Sequence, residues 1–201
     1  MSRKNILYSF LMIVMCMGLF SCATQNLARY YYSHQPTVDS IHDSFKKAYQ
    51  KKPFSIEFSD KSFKNITIEI MTDSIKYIYG FGATEKRFDD TLRKYKLDVQ
   101  AIHGLITQMQ SIHCTWVNTM DYYTDETKHS LIFLSMWPKV FKLPFSETKY
   151  YSLTFFSQPQ YFDKDGNLLE GRRRRRIRRI NSDIFKRIND KVCYTVSDRF
   201  R

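Results

Sequence analysis

Two stretches of this chain carry the pattern of strands in a half-buried sheet. Phe54, Ile56 and Phe58 alternate with Ser55 and Glu57, and Ile66, Ile68 and Ile70 alternate with Thr67 and Glu69. A period of two puts the six apolar side chains on one side of a pleated ribbon and their polar neighbours on the other. A Thr72-Asp73-Ser74 turn then leads into Ile75-Lys76-Tyr77-Ile78-Tyr79, which predicts three strands including a hairpin. An apolar sheet face has to be covered, and the flanking segments change to helical spacing. Pro36 and Thr37 open a helix with Val38, Ile41, Phe45 and Tyr49 on one side, and Pro53 stops it. Phe88, Leu92 and Tyr95 mark a second helix. Asp98 is the N-cap of a third, with Val99, Ile102, Leu105, Ile106, Met109 and Ile112 forming a broad apolar face. Residues 113–122 and 129–137 read as another antiparallel pair about the polar turn Thr124 to Lys128, and Tyr150 to Ser157 as a further strand. Helices interspersed among antiparallel strands predict an α+β fold, a mainly antiparallel sheet with about three helices, rather than a doubly wound parallel one.

The chain starts with Ser2-Arg3-Lys4, continues in an apolar run from Ile6 to Phe20, and closes that run with Leu19-Phe20-Ser21-Cys22. This resembles a bacterial lipoprotein signal peptide, in which a large aliphatic residue, a tolerant position and a small residue lead into the lipidated cysteine. A basic start stays cytoplasmic while a short apolar run enters the export channel. The run is short against the roughly 20 residues of a membrane span, and an uncleaved anchor helix is the alternative. The resemblance covers the first 22 residues. It implies cleavage before Cys22, a diacylglyceryl thioether on its sulfur and an N-acyl chain of the palmitate kind, and two or more chains on one cysteine give stable anchoring. Ala23-Thr24-Gln25-Asn26 holds no acidic residue, which by the same resemblance implies the periplasmic face of the outer membrane. The expected organisation is a signal peptide over 1–21, a tether over 22–36 that includes Tyr30-Tyr31-Tyr32, and one α+β domain over 37–201.

The formal net charge of +12 falls to +10 once Arg3 and Lys4 leave with the signal. Seven of the remaining positive charges are Arg172, Arg173, Arg174, Arg175, Arg176, Arg178 and Arg179, without which the balance would be +3. The basicity is therefore one local feature. Ile177, Ile180, Ile184 and Ile188 follow at spacings of three and four, which predicts a basic amphipathic helix with Lys186 and Arg187 outside its apolar stripe; a solvated face, or a loop followed by a helix capped at Asn181-Ser182-Asp183, is the alternative. Guanidinium forks suit phosphates, so the expected partners are a membrane through the anchor, anionic lipid or glycolipid, or another envelope protein. Nucleic acid is set aside because the tether faces away from it.

Cys16 goes with the signal and Cys22 is acylated, leaving Cys114 and Cys193, which in an oxidising compartment are a candidate disulfide, with two buried thiols as the alternative. No Cys/His spacing suggests a metal, and no cofactor is expected. Gly80-Phe81-Gly82-Ala83-Thr84-Glu85 resembles a phosphate loop but has Glu85 in place of the third glycine, so it reads as a strand-to-helix turn capped by Thr84. Asp163-Lys164-Asp165-Gly166-Asn167 starts like a calcium loop, but Glu170 comes too early for the bidentate ligand, which favours a hairpin turn. His103, His113 and His129 follow no zinc spacing and read as structural. Aromatic residues make up 16% of the chain; they pack strands, or expose a sugar- or peptide-binding face centred on Trp116 and Trp137. No serine lies in a GxSxG elbow. The expected function is a lipid-anchored, non-catalytic binding or assembly module of the bacterial envelope. The alternative is an envelope hydrolase, which a His–carboxylate pair within hydrogen-bonding reach in a deep cleft would favour.

Overall fold

The computed structural model describes residues 22–124, 127–136, 150–162, 164 and 185–197. Residues 1–21, read above as a signal peptide, the Arg172 to Arg179 run, Trp137 and the Asp163 to Asn167 segment except Lys164 lie outside these residues. Residues up to Gln35 form one compact unit and those from Pro36 onward a second. In the first, the stretch expected as a tether is a helix, α1 (Cys22–Ser33). Ala, Gln, Leu and Arg are good helix formers, and the Ser33 hydroxyl closes the last turn on the Tyr30 carbonyl at 3.0 Å.

The larger unit is α+β. Helix α2 (Gln35–Lys51) leads into β1 (Phe54–Phe58), β2 (Asn65–Met71) and β3 (Lys76–Gly82). Helices α3 (Lys86–Lys94) and α4 (Val99–Ser111) follow, then β4 (Cys114–Thr124), β5 (Thr127–Met136), β6 (Tyr150–Phe156), β7 (Lys186–Arg187) and β8 (Val192–Ser197). The described strands form one sheet in the order β3-β2-β1-β4-β5-β6-β8-β7, with every adjacent pair antiparallel. The sequence pattern maps onto the register. Phe54, Ile56 and Phe58 stand opposite Ile70, Ile68 and Ile66, and all six are buried. Helices cover this face: Phe45 packs on Phe54 at 5.1 Å between ring centroids, Phe88 on Phe81 at 5.5 Å, and the His42 ring stacks on Phe155 at 4.7 Å. Each buried apolar side chain contributes about 1.5–3 kcal/mol. On the opposite face of β4, β5, β6 and β8 a second cluster gathers Tyr122, Leu131, Phe156, Phe185 and Cys193, with Phe133 and Phe162 against it. Those strands therefore bury side chains on both sides of the sheet.

Two expectations are corrected. The glycine-containing turn at Gly80 is part of β3, which continues to Gly82, and the N-cap position of α3 is held by Glu85 rather than Thr84, with no side-chain cap bond. Pairing with Asn65 to Thr67 of β2 extends the strand over these glycines. The helix expected to continue through Ile188 is absent at its end: Lys186 and Arg187 pair with Tyr194 and Cys193 in a hairpin. Asn189 decides this locally. Its side-chain oxygen accepts the Lys191 and Val192 amides at 2.9 and 2.8 Å, an Asx turn that outcompetes helical spacing.

Candidate functional site

A groove of about 310 Å³ runs along α2 and α4 and is closed at one end by the connection between α3 and α4. Ala48, Leu97, Ala101, Gly104 and Leu105 line it together with the exposed Lys47, Lys51 and Lys96 and the single acid Asp98. The opening follows from small side chains. Ala101 and Gly104 are one turn apart on α4, facing Ala48, and a Cβ placed on Gly104 would meet nothing within 4 Å. The lysines have separate origins. Lys47 and Lys51 are four residues apart on α2 and so share one side of it. Lys96 follows the C-cap Tyr95 of α3 with φ of 59°. Its amide donates to the Arg93 carbonyl at 3.0 Å, and the Leu97 amide donates to the Leu92 carbonyl at 2.9 Å, with Leu92 and Leu97 both buried. That is a Schellman turn, in which the left-handed position is ordinarily glycine. Asp98 caps α4 by accepting the Ala101 amide at 3.0 Å, so its carboxylate is engaged at the helix end. Gln108 lines the groove as well. Its Nε2 donates to Ser40 Oγ at 2.8 Å, while its buried Oε1 has no partner among the described residues.

A His–carboxylate pair is present elsewhere. His103 Nε2 and Asp89 Oδ1 are 2.7 Å apart, joining α4 to α3, with the Phe88 ring edge-on to the imidazole at 5.6 Å. Both side chains are about one-third exposed, Asp89 also lies 4.0 Å from Arg93, and neither residue lines the groove. The nearby Thr107 hydroxyl donates to the His103 carbonyl rather than to its ring. The geometry is a clasp between two helices. The other two histidines lie apart from it: His113 stands edge-on to Phe63 at 5.6 Å, and His129 is on β5 beside Tyr122 at 5.4 Å. Trp116 packs edge-on to Phe133 at 4.6 Å in the sheet.

The disulfide expectation is corrected as well. Cys114 opens β4 and Cys193 lies in β8, with β5 and β6 between them, and both are buried free thiols. Three strand spacings of roughly 4.8 Å separate them, about twice the Cα separation a bridge spans. Burial pushes the Cys114 thiol up to about 12, with a backbone hydrogen bond from Trp116 opposing it. Burial likewise raises Cys193 to about 12, the Arg187 charge opposing.

The chain matches no family model, no curated protein and no solved structure. What the fold and groove define is a class: an α+β domain with a basic cleft on its helical side. The signals for the groove were present in the sequence as Gly104 inside a helix and Lys96 at a helix end. Neither is informative until the helices are set side by side.

Proposed function

We propose that this chain is a lipid-anchored lipoprotein of the bacterial envelope, a non-catalytic binding or assembly module that holds a small anionic group in the groove between α2 and α4. The anchor rests on Cys22 and the apolar run before it. One observation supports the binding role above the rest: at this groove the sequence twice chooses against local stability. Glycine within a helix costs about 0.5–1 kcal/mol relative to alanine, and a non-glycine residue in the left-handed region costs on the order of 1 kcal/mol. Gly104 keeps the cleft open, and Lys96 adds a third ammonium to its lining. Local choices that oppose the fold concentrate at functional positions. The Gln108 Oε1, without a partner among the described residues, suits a hydrogen-bond donor on the ligand. A cleft of this volume is at the small end for ligand sites, which fits a phosphate or carboxylate headgroup rather than a polymer.

Titration with inorganic phosphate, followed through backbone amide shifts, tests the groove. Saturable shifts at Lys96 to Gly104 are expected, weakened about tenfold or more by Lys47→Gln with Lys51→Gln. Lys96→Gly should weaken binding while raising the melting temperature, a combination that a purely structural lysine would not give. Shifts that are absent or unsaturable, or unchanged in these variants, refute the site. The anchor has its own test: a metabolic fatty-acid probe should label wild type and not Cys22→Ser.

The hydrolase reading draws on the His103–Asp89 pair alone. It requires that His103→Gln abolish hydrolysis of an envelope ester or amide without loss of folding, whereas the helix clasp requires a lower melting temperature and no activity to lose.

A further inference from the structure

The two edges of the sheet are unlike. β7 is two residues long and consists of Lys186 and Arg187, a short charged edge of the sort that discourages pairing. β3, at the other edge, is seven residues long, contains no proline, has one charged side chain and keeps unbroken register with β2. Ile78 on this strand is 62% exposed and Tyr77 38%.

Register shows which backbone groups of β3 are unused. The Ala83 amide donates to the Lys64 carbonyl and the Thr72 amide to the Ile75 carbonyl. Because an antiparallel ladder alternates from such pairs, Tyr77, Tyr79 and Phe81 direct their main-chain groups at β2. Lys76, Ile78, Gly80 and Gly82 direct theirs outward. Gly82 is already occupied: its amide donates to Glu85 Oε2 at 3.1 Å and its carbonyl accepts the Glu85 amide at 2.9 Å. Lys76, Ile78 and Gly80 are left as the open stretch, with no backbone partner on the outward side among the described residues.

We propose that β3 pairs with β3 of a second copy of this chain, antiparallel about a two-fold axis through Ile78, joining the two sheets edge to edge. This register uses every open group: Ile78 faces Ile78 of the second copy, and Lys76 faces Gly80 on each side of the axis. An axis at Tyr79 would call on Gly82, which Glu85 holds. The side chains agree on both faces. On the helix-covered face, Tyr77 meets Tyr79 of the second copy at the non-hydrogen-bonded positions, where side chains approach most closely. These rings already form a shelf with Tyr95, at centroid distances of 5.7 Å from Tyr77 and 6.0 Å from Tyr79, and the Tyr79 and Tyr95 hydroxyls are 2.7 Å apart. On the opposite face the two Ile78 side chains cover each other. Lys76 stands across from a glycine, and its ammonium is neutralised by Glu69 of its own chain at 3.1 Å. A Cβ on Gly80 would meet nothing within 4 Å, so that side of the strand is unobstructed. No like charges meet at the axis. This self-complementarity favours a second copy over an unrelated strand, and it holds whether or not the groove binds anions.

The test uses the full chain in mild detergent over a concentration series, with sedimentation for mass and amide exchange for the strand. A reversible, weak dimer is expected, since one strand pair buries less than the roughly 1,200 Å² of stable interfaces. The Lys76, Ile78 and Gly80 amides should gain protection as concentration rises, while Tyr77 and Tyr79 stay as they are. Ile78→Lys places like charges face to face and should weaken the dimer about tenfold or more. Ile78→Pro removes an outward amide that no bond among the described residues uses, and should abolish the dimer with the fold kept. A monomer at every concentration overturns the proposal, including one that captures a foreign strand peptide. So does a dimer that both variants leave unchanged.

Discussion

Cys114 and Cys193 behave in opposite ways as sequence and as structure. In the sequence they are an even pair awaiting a bridge; in the fold each is a small apolar side chain held neutral by burial. Against an ordinary value of 9.0, burial raises both to about 12. The folded state therefore keeps a proton that the unfolded chain releases, and the stabilisation is complete below about pH 9 and lost as pH rises toward 12. The unfolding free energy from denaturant titration should fall across that window, by on the order of 2–4 kcal/mol per thiol at its end. Burial also raises Tyr151 and Tyr194, so the informative quantity is the difference from Cys114→Ala with Cys193→Ala, whose decline should be shallower. Thiol reagents should leave both cysteines unmodified in native protein and reach both after unfolding. A disulfide in oxidised protein would contradict the placement of these strands.

At the scale of elements, α4 has a side-chain cap at its N-terminus and a glycine in its middle. Asp98 satisfies the Ala101 amide, so Asp98→Ala should cost about 1 kcal/mol by thermal or urea unfolding. Gly104→Ala should do the reverse, gaining about 0.5–1 kcal/mol, because the added methyl meets nothing. It should also narrow the groove and lower phosphate affinity. A Gly104→Ala variant that is less stable than wild type would mean the helix is packed there and that the groove is not open. The same element shows why boundaries were harder to read than elements. The apolar spacing of Ile102, Leu105, Ile106 and Met109 and the Asp98 cap are local, and both are found where the sequence places them. The start of α3 depends on how far β3 stays paired with β2, which is not a local property.

For the whole molecule, the expected contact with anionic surfaces rests on Arg172 to Arg179, outside the described residues. Seven guanidiniums in eight positions cannot be desolvated without as many partners, and near an anionic membrane each basic residue contributes about 1 kcal/mol. A form of the chain with Cys22 removed should bind anionic liposomes in low salt and release as salt rises. Replacing Arg172 to Arg176 by Gln should remove that binding with the melting temperature unchanged; unaltered binding, or unfolding, would refute a surface role. The sequence by itself determined the α+β class, the helix at Val38 to Phe45, the paired alternation of β1 and β2, and the cap at Asp98. Each is written in neighbours a few residues apart, where hydrophobic period and hydrogen-bonding side chains act. Beyond the β2–β3 hairpin and the β4–β5 pair, tertiary structure alone decided which strands lie side by side. It separated Cys114 from Cys193 by two strands, extended β3 through Gly82, and turned Lys186 and Arg187 into an edge strand. It also set Ala48 against Gly104, and it left Ile78 at an open edge. The cysteine separation, the reach of β3 and the setting of Ala48 against Gly104 depend on residues far apart in the chain, which no local period or propensity encodes, whereas the Lys186–Arg187 hairpin rests also on the local Asn189 turn.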